Sequence, residues 1–148
     1  MFTDCYCTQF RRASNALTQI YDAALKPAGL RITQFSLLRS IGRLGEATTS
    51  QVAEELSLDR TTISRNVKLL IDAGWVDVVA GDDRRERVLA LNKRGQKMIS
   101  DALPYFKKAQ KFVEQGAERL FDASRNHRLL EVLEDLQARA ANQESKRA

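Results

Sequence analysis

Histidine is nearly absent from this chain: there is one, His127, in 148 residues, beside two cysteines and two prolines. A single histidine excludes an HExxH motif and any two-histidine metal site. Cys5 and Cys7 alone do not fill a tetrahedral zinc site, so no metal and no cofactor is expected. Phosphate-cradling and nucleophile motifs are missing too, with no GxGxxG, no Walker loop and no GxSxG anywhere. Without a motif that pairs a nucleophile with a base, the chain reads as a non-enzyme. Long apolar runs are also lacking: charges interrupt every segment before the roughly 18 residues that a membrane span needs. The first residues, Met1-Phe2-Thr3-Asp4, have neither the basic stretch nor the apolar core of a signal peptide. The expected compartment is the cytoplasm, with no membrane partner.

What is present suits one folded domain, with 43% hydrophobic and 29% charged residues. The formal net charge is +5, and it is unevenly spread. Residues 60–97 carry nine basic and five acidic side chains, whereas the segments on either side nearly balance. A localised basic stretch is the footprint of a polyanion binder. A solvated basic surface would look the same in composition alone.

Periodicity supplies the elements. From Asp4 to about Lys26, Phe10, Ala13, Leu17, Ile20 and Ala24 recur at helical spacing, and Pro27 and Gly29 end the pattern. Thr33 is a candidate cap for a second helix with Phe35, Leu38, Ile41 and Leu44 inward, closed by Gly45. Both stripes read most simply as core. Thr48-Thr49-Ser50 then offers caps for a short helix, Ser57-Leu58 makes a tight connection, and Asp59 caps a helix from Arg60 to Ala73 that Gly74 stops. Two helices joined in this way form a helix-turn-helix pattern.

At about 100° per residue, Ile63, Val67 and Leu70 share one side of the second helix. Thr61, Arg65, Lys68 and Asp72 fall opposite, with Arg60 near the helix start. Hydroxyl, guanidinium and ammonium groups on one face suit phosphates and base edges in a major groove. After Gly74 the period becomes that of strands, at Trp75–Val79 and Arg87–Leu91, around the charged loop Gly81-Asp82-Asp83-Arg84-Arg85-Glu86. A hairpin directly after a helix-turn-helix is a wing, and its arginines suit a narrow A·T-rich minor groove. Asn92 is a candidate cap for a long helix with Ala102, Phe106, Ala109 and Val113 in its stripe, which Pro104 is expected to kink or divide. A last helix carries Leu129, Leu130, Val132, Leu133 and Leu136, and the tail from Asn142 is expected to fray. The apolar stripes of the terminal helices need cover, from their own chain or from a second copy. A two-fold dimer would present two recognition helices to a pseudo-palindromic site, with half-sites about 10–10.5 bp apart or a multiple of that.

Ordered motifs along nearly the whole chain make it resemble the MarR-type (multiple antibiotic resistance regulator) winged-helix transcription factors. They are Leu30-Arg31-Ile32-Thr33-Gln34-Phe35-Ser36-Leu37-Leu38, Thr49-Ser50-Gln51-Val52-Ala53, Asp59-Arg60-Thr61-Thr62-Ile63-Ser64-Arg65, Leu70-Ile71-Asp72-Ala73-Gly74-Trp75-Val76, Asp83-Arg84-Arg85 and Leu89-Ala90-Leu91-Asn92-Lys93-Arg94-Gly95. The resemblance implies a mainly α chain with a small β-hairpin wing, in which a winged helix-turn-helix is flanked by dimerisation helices. Residues 1–148 would form one such chain, with the DNA-binding region at 31–97 and dimerisation helices at 4–27 and 98–142. It implies an obligate homodimer on double-stranded DNA, regulating transcription as a repressor. Arg60, Thr61, Thr62, Ser64, Arg65 and Lys68 are then the expected major-groove and phosphate contacts. Arg85, braced by Asp83 and accompanied by Arg84, would enter the minor groove. Such repressors are released by a small aromatic or phenolic ligand, expected here near Phe10, Tyr21 and Phe35, with Arg11 or Arg12 holding a carboxylate. The alternative trigger is oxidation, because Cys7 resembles the reactive cysteine of the family's organic-hydroperoxide sensors. Not all the aromatic residues those sensors place around the thiolate are present, and Arg11 occupies one such position. Cys5 and Cys7, two apart on a helix, should not easily bridge each other. A winged helix used only for protein contact is the rival from another class.

Overall fold

In a computed structural model, which describes residues 5–80, 87–116 and 123–145, the chain is helical with one small antiparallel sheet. It divides into two compact units, residues 1–110 and 111–148. Helix α1 spans Tyr6–Leu25 and passes through a 3₁₀ turn at Lys26–Ala28. Helix α2 (Ile32–Leu44) follows, then strand β1 (Glu46–Thr48), α3 (Thr49–Leu56), α4 (Arg60–Asp72), β2 (Val76–Ala80), β3 (Arg87–Leu91), α5 (Lys93–Gly116) and α6 (Ala123–Ser145). The sheet order is β1-β3-β2, with Ala47 opposite Leu89 and Leu89 opposite Val78. This is the winged-helix arrangement. Among the described residues no helix is long and apolar enough to cross a membrane.

The core lies where α2, α3, α4 and the sheet meet. Phe35, Leu37, Leu38 and Ile41 of α2 pack with Val52, Ile63, Leu70, Val76 and Leu89, all of them essentially solvent-free. Ala102 of α5 joins the same cluster. Two ends are tied by local chemistry. Gly74, at φ 74°, lets the Trp75 N–H reach the Leu70 carbonyl at 3.0 Å and the Gly74 N–H reach Ile71 at 2.8 Å, which closes α4 as a Schellman motif. Asn92 accepts the Gly95 N–H at 3.0 Å and donates to the Gly74 carbonyl and to Asp77 Oδ1 at 3.1 and 3.0 Å, so one side chain joins the ends of α4, β2 and α5.

Several sequence expectations need correction. The cap of α2 is Arg31 and not Thr33, which lies inside the helix. Gln34 accepts the Arg31 N–H at 3.0 Å, and Asp22 of α1 accepts the Ile32 N–H at 2.7 Å, so the helix starts where those acceptors stand. Helix α5 runs through Pro104 undivided. Pro104 and Ser100 are both exposed, so the carbonyl that loses its N–H partner faces water and not the core. The tail stays helical to Ser145. The α1 stripe is not core within the chain: only Leu25 is buried, while Phe10 and Leu17 stand about two-fifths exposed. Leu44 is similarly exposed, and Leu37 fills the α2 core instead.

Gly95 gives a stability prediction. A Cβ there would stand 2.3 Å from the Trp75 carbonyl oxygen and 2.5 Å from Leu91 Cδ1. Alanine is the better helix former by at most about 1 kcal/mol, whereas forcing atoms into a packed site costs about 1–3 kcal/mol. Gly95→Ala is therefore expected to be net destabilising, read as a lower urea midpoint at unchanged slope.

Candidate nucleic-acid interface

The helix-turn-helix is built from caps and a tight turn. Thr48 ends β1 and caps α3 in the same residue, accepting the Gln51 N–H at 3.2 Å while Gln51 Oε1 accepts the Thr48 N–H at 2.8 Å. Strand β1 thus holds the start of α3 to the wing sheet. Ser57 then takes a left-handed conformation, φ 49°, which a non-glycine residue adopts at a cost of about 1–2 kcal/mol. The Leu58 N–H returns to the Ala53 carbonyl at 3.1 Å, and Leu56 and Leu58 pack on the core, so the turn is held from both sides.

Asp59 caps α4. Its carboxylate accepts the Thr62 N–H at 2.9 Å and the Thr62 hydroxyl at 2.6 Å. The Thr62 side chain first, and its backbone N–H second, hold the Asp59 carboxyl below the ordinary carboxylate value. With the folded value below the unfolded one, the ionised cap stabilises the helix at neutral pH, and that contribution is lost as pH falls through the folded value.

Ile63, Val67 and Leu70 of α4 are buried, Thr62, Asn66 and Ile71 are half-buried, and the opposite face is turned to solvent. Arg60, Thr61, Ser64 and Arg65 are exposed, and their side chains make no hydrogen bond or ion pair among the described residues. Two expected contacts are differently placed. The hydroxyl proton of Thr62 is taken by Asp59, and Lys68 Nζ is paired with Asp72 Oδ2 at 2.7 Å. Asp83, Arg84 and Arg85 lie outside the described residues. The strands that carry them are in place, with Ala80 opposite Arg87.

The residues expected around a ligand separate into two groups. Phe10 and Arg11 stand exposed on α1. Tyr21 and Phe35 come together through Phe106, whose ring centroid lies 5.5 Å from Tyr21 and 5.0 Å from Phe35. The Arg39 guanidinium sits over both phenylalanine rings, 5.8 Å from Phe35 and 5.4 Å from Phe106. Beside this stack opens a cavity of about 720 Å³, with Phe35, Arg39, Ser40, Arg43 and Phe106 in its wall. Arg39 follows Phe35 by one helical turn, a spacing legible in the sequence. Phe106 is distant along the chain, and nothing local announces it.

Both cysteines are exposed, and neither forms a disulfide among the described residues. The Cys5 thiol is held below its ordinary value, chiefly by its side-chain hydrogen bond with Thr8. Arg11 Nη2 stands 3.9 Å from Cys7 Sγ. Among the described residues no group of three metal-binding side chains occurs.

Known proteins share this architecture. The MarR family pattern matches residues 28–86. The HTH-type transcriptional regulator YwoH of Bacillus subtilis is 28% identical over 93 residues, covering 63% of this chain and 68% of its own. The M. tuberculosis transcriptional regulator MosR, solved in complex with DNA, is 33% identical with a TM-score of 0.77, over 93% of this chain and 98% of its own. Bordetella bronchiseptica BpsR, whose DNA binding is regulated by 6-hydroxynicotinic acid, superposes at a TM-score of 0.80 with 17% identity, over 93% and 96% of the two chains.

Proposed function

This chain belongs to the MarR family of transcriptional regulators, and from that membership we propose that it is a dimeric repressor that binds a pseudo-palindromic double-stranded DNA site. Residues 31–97 form the DNA-binding region, carried on helices from 4–27 and 98–142. The observation that carries the reading is the outward face of α4, where Arg60, Thr61, Ser64 and Arg65 stand exposed and unpaired among the described residues behind a fixed turn. Side chains without internal partners break no ion pair or hydrogen bond of the protein when they meet phosphates and base edges. Lys68 exchanges Asp72 for a phosphate, and Thr62 orients the helix start. Arg85 and Arg84 of the wing, with Asp83 beside them, enter the minor groove.

Genomic-fragment selection with the purified chain tests this, followed by affinity measurements across salt. Binding should fall steeply, with a slope of about −0.9 in log K per phosphate neutralised. No enrichment of fragments, or a flat salt response, would support the winged helix as a protein-contact module instead. Arg85→Ala should lose about tenfold in affinity, most of all on A·T-rich flanks, where the narrow groove deepens the negative potential. Wild-type affinity of that variant at every salt concentration would remove the wing contact.

The trigger we propose is a small aromatic or phenolic acid in the cavity beside Phe35 and Phe106. Its volume of about 720 Å³ lies within the usual range for small-molecule sites. Stacked rings with a guanidinium over them suit a planar anion, and BpsR, of the same fold, answers to such a compound. A second reading has its own observation: Cys7 is exposed, with Arg11 Nη2 3.9 Å from its sulfur, so a peroxide has access to the thiol. Release of DNA by peroxide should then disappear in Cys7→Ser. Release that persists in this variant excludes Cys7 as the sensor.

A further inference from the structure

We propose that the Glu55 carboxylate occupies, as an internal competitor, the arginine that an acid in the cavity would take, so that ligand binding unclamps α3 from α2. The inference rests on the reading of the cavity as a site for an aromatic acid. Ser40 is 3% exposed and is the buried polar residue of the described core. A buried hydroxyl is costly without a partner, and this one donates to Glu55 Oε2, on α3. Arg43, almost one turn further along α2, pairs with Glu55 Oε1. Both carboxylate oxygens are thus held from α2, and both of the groups that hold them stand in the cavity wall. One side chain therefore connects the cavity with the first helix of the helix-turn-helix.

The strength of the clamp suits a switch. The Glu55 side chain is 19% exposed, but that of Arg43 is 67% exposed, so water screens the pair and its net strength is modest. A deeply buried pair would exclude a competing anion. This one yields to a carboxylate that brings ring stacking with it. Arg39, over the Phe35 and Phe106 rings, lies one turn from Arg43 on α2, about 6 Å along the helix. An aromatic acid with its ring on that stack thus has its carboxylate directed along α2 toward Arg43. Once Arg43 is taken, Glu55 keeps only Ser40, and α3 rests on the packing of Val52, Ala53 and Leu56 and on its Thr48 cap, with one of its two polar ties to α2 gone. The ligand then has different affinities for the clamped and unclamped states, which is what coupling to DNA requires.

The test uses the full chain, its selected operator duplex, and benzoate and 4-hydroxybenzoate as probes, with acid affinity from calorimetry and DNA affinity with and without acid. Glu55→Gln keeps an acceptor for Ser40 and removes the competing charge. It should bind benzoate about tenfold more tightly, while the acid's effect on DNA affinity shrinks from about tenfold to under about twofold. Arg43→Gln should move acid affinity the opposite way, about tenfold weaker. A merely structural clamp would not give opposite signs to its two halves. Ser40→Ala loosens the clamp without touching a charge and should also tighten benzoate, which gives the same reading if Glu55→Gln does not fold. Wild-type acid affinity and full coupling in Glu55→Gln, or tightening in Arg43→Gln, would overturn the inference and leave the aromatic-acid trigger standing. Failure of the wild-type chain to bind either acid would overturn both.

Discussion

Arg65→Ala is expected to bind the operator about 10- to 100-fold more weakly while its affinity for unrelated duplex hardly changes. Arg65 lies on the side of α4 opposite Ile63, Val67 and Leu70, which are fixed in the core, so its direction is set by packing. It is exposed and unpaired among the described residues, so no internal ion pair must break before it reaches a base. Its planar fork matches the two acceptors of a guanine edge, and losing such a pair removes discrimination, not general attraction. Lys68 is the internal comparison. It is held by Asp72 at 2.7 Å and offers a point charge, so Lys68→Ala should weaken operator and unrelated DNA alike and reduce the salt slope by about one. Competition binding at one fixed salt concentration separates the two. Equal losses on both DNAs for Arg65→Ala would put Arg65 on the phosphates and leave base reading to other residues of α4.

The helix-turn-helix was legible because its signals are local. Thr48 and Asp59 are caps in place, Gly74 closes α4, and the 100° projection of α4 separated Ile63, Val67 and Leu70 from the exposed face as the structure has them. What was not legible depended on distant partners. Strand β1 is three residues long, Glu46-Ala47-Thr48, too short for alternation to register, and exists because β3 pairs with it. The start of α2 is moved to Arg31 by an acceptor on α1, which no cap preference encodes. Of the residues expected around a ligand, Phe35 stands in the cavity wall and Tyr21 meets it only through Phe106, while Phe106, Arg39 and the Ser40–Glu55–Arg43 clamp come together by tertiary contact. The stripe of α1 was read as core because periodicity reports that a face is apolar, without saying which chain covers it.

That uncovered face leads to the largest effect expected here: Leu136→Glu should turn a dimer into monomers and lower operator affinity by about 10²–10⁴-fold. On α1, Tyr6 is 82% exposed and Leu17 41%, and on α6 Leu130 and Val132 are 51% and Leu136 46% exposed. Single exposed apolar residues are ordinary, but here they recur along two of the long helices while the core of α2 to α4 is complete without them. Each such side chain, once covered, contributes about 1.5–3 kcal/mol, and a glutamate at the same place brings an unpaired charge into the contact at a further cost of several kcal/mol. The loss in DNA binding then follows from arithmetic, not from any change at the DNA. In a dimer the second recognition helix meets its half-site at a high effective concentration, and a monomer forfeits that advantage entirely. Sedimentation measures the oligomeric state, and far-ultraviolet dichroism checks that the core built on Phe35, Leu38, Ile63 and Leu89 is intact, since none of these residues lies on α6. A folded Leu136→Glu chain that remains dimeric and binds its operator like the wild type would assign the covering role to α1 alone, with Leu17→Glu as the decisive variant. If both variants stay dimeric, the apolar faces serve some other contact and the half-site geometry proposed for the operator falls with them.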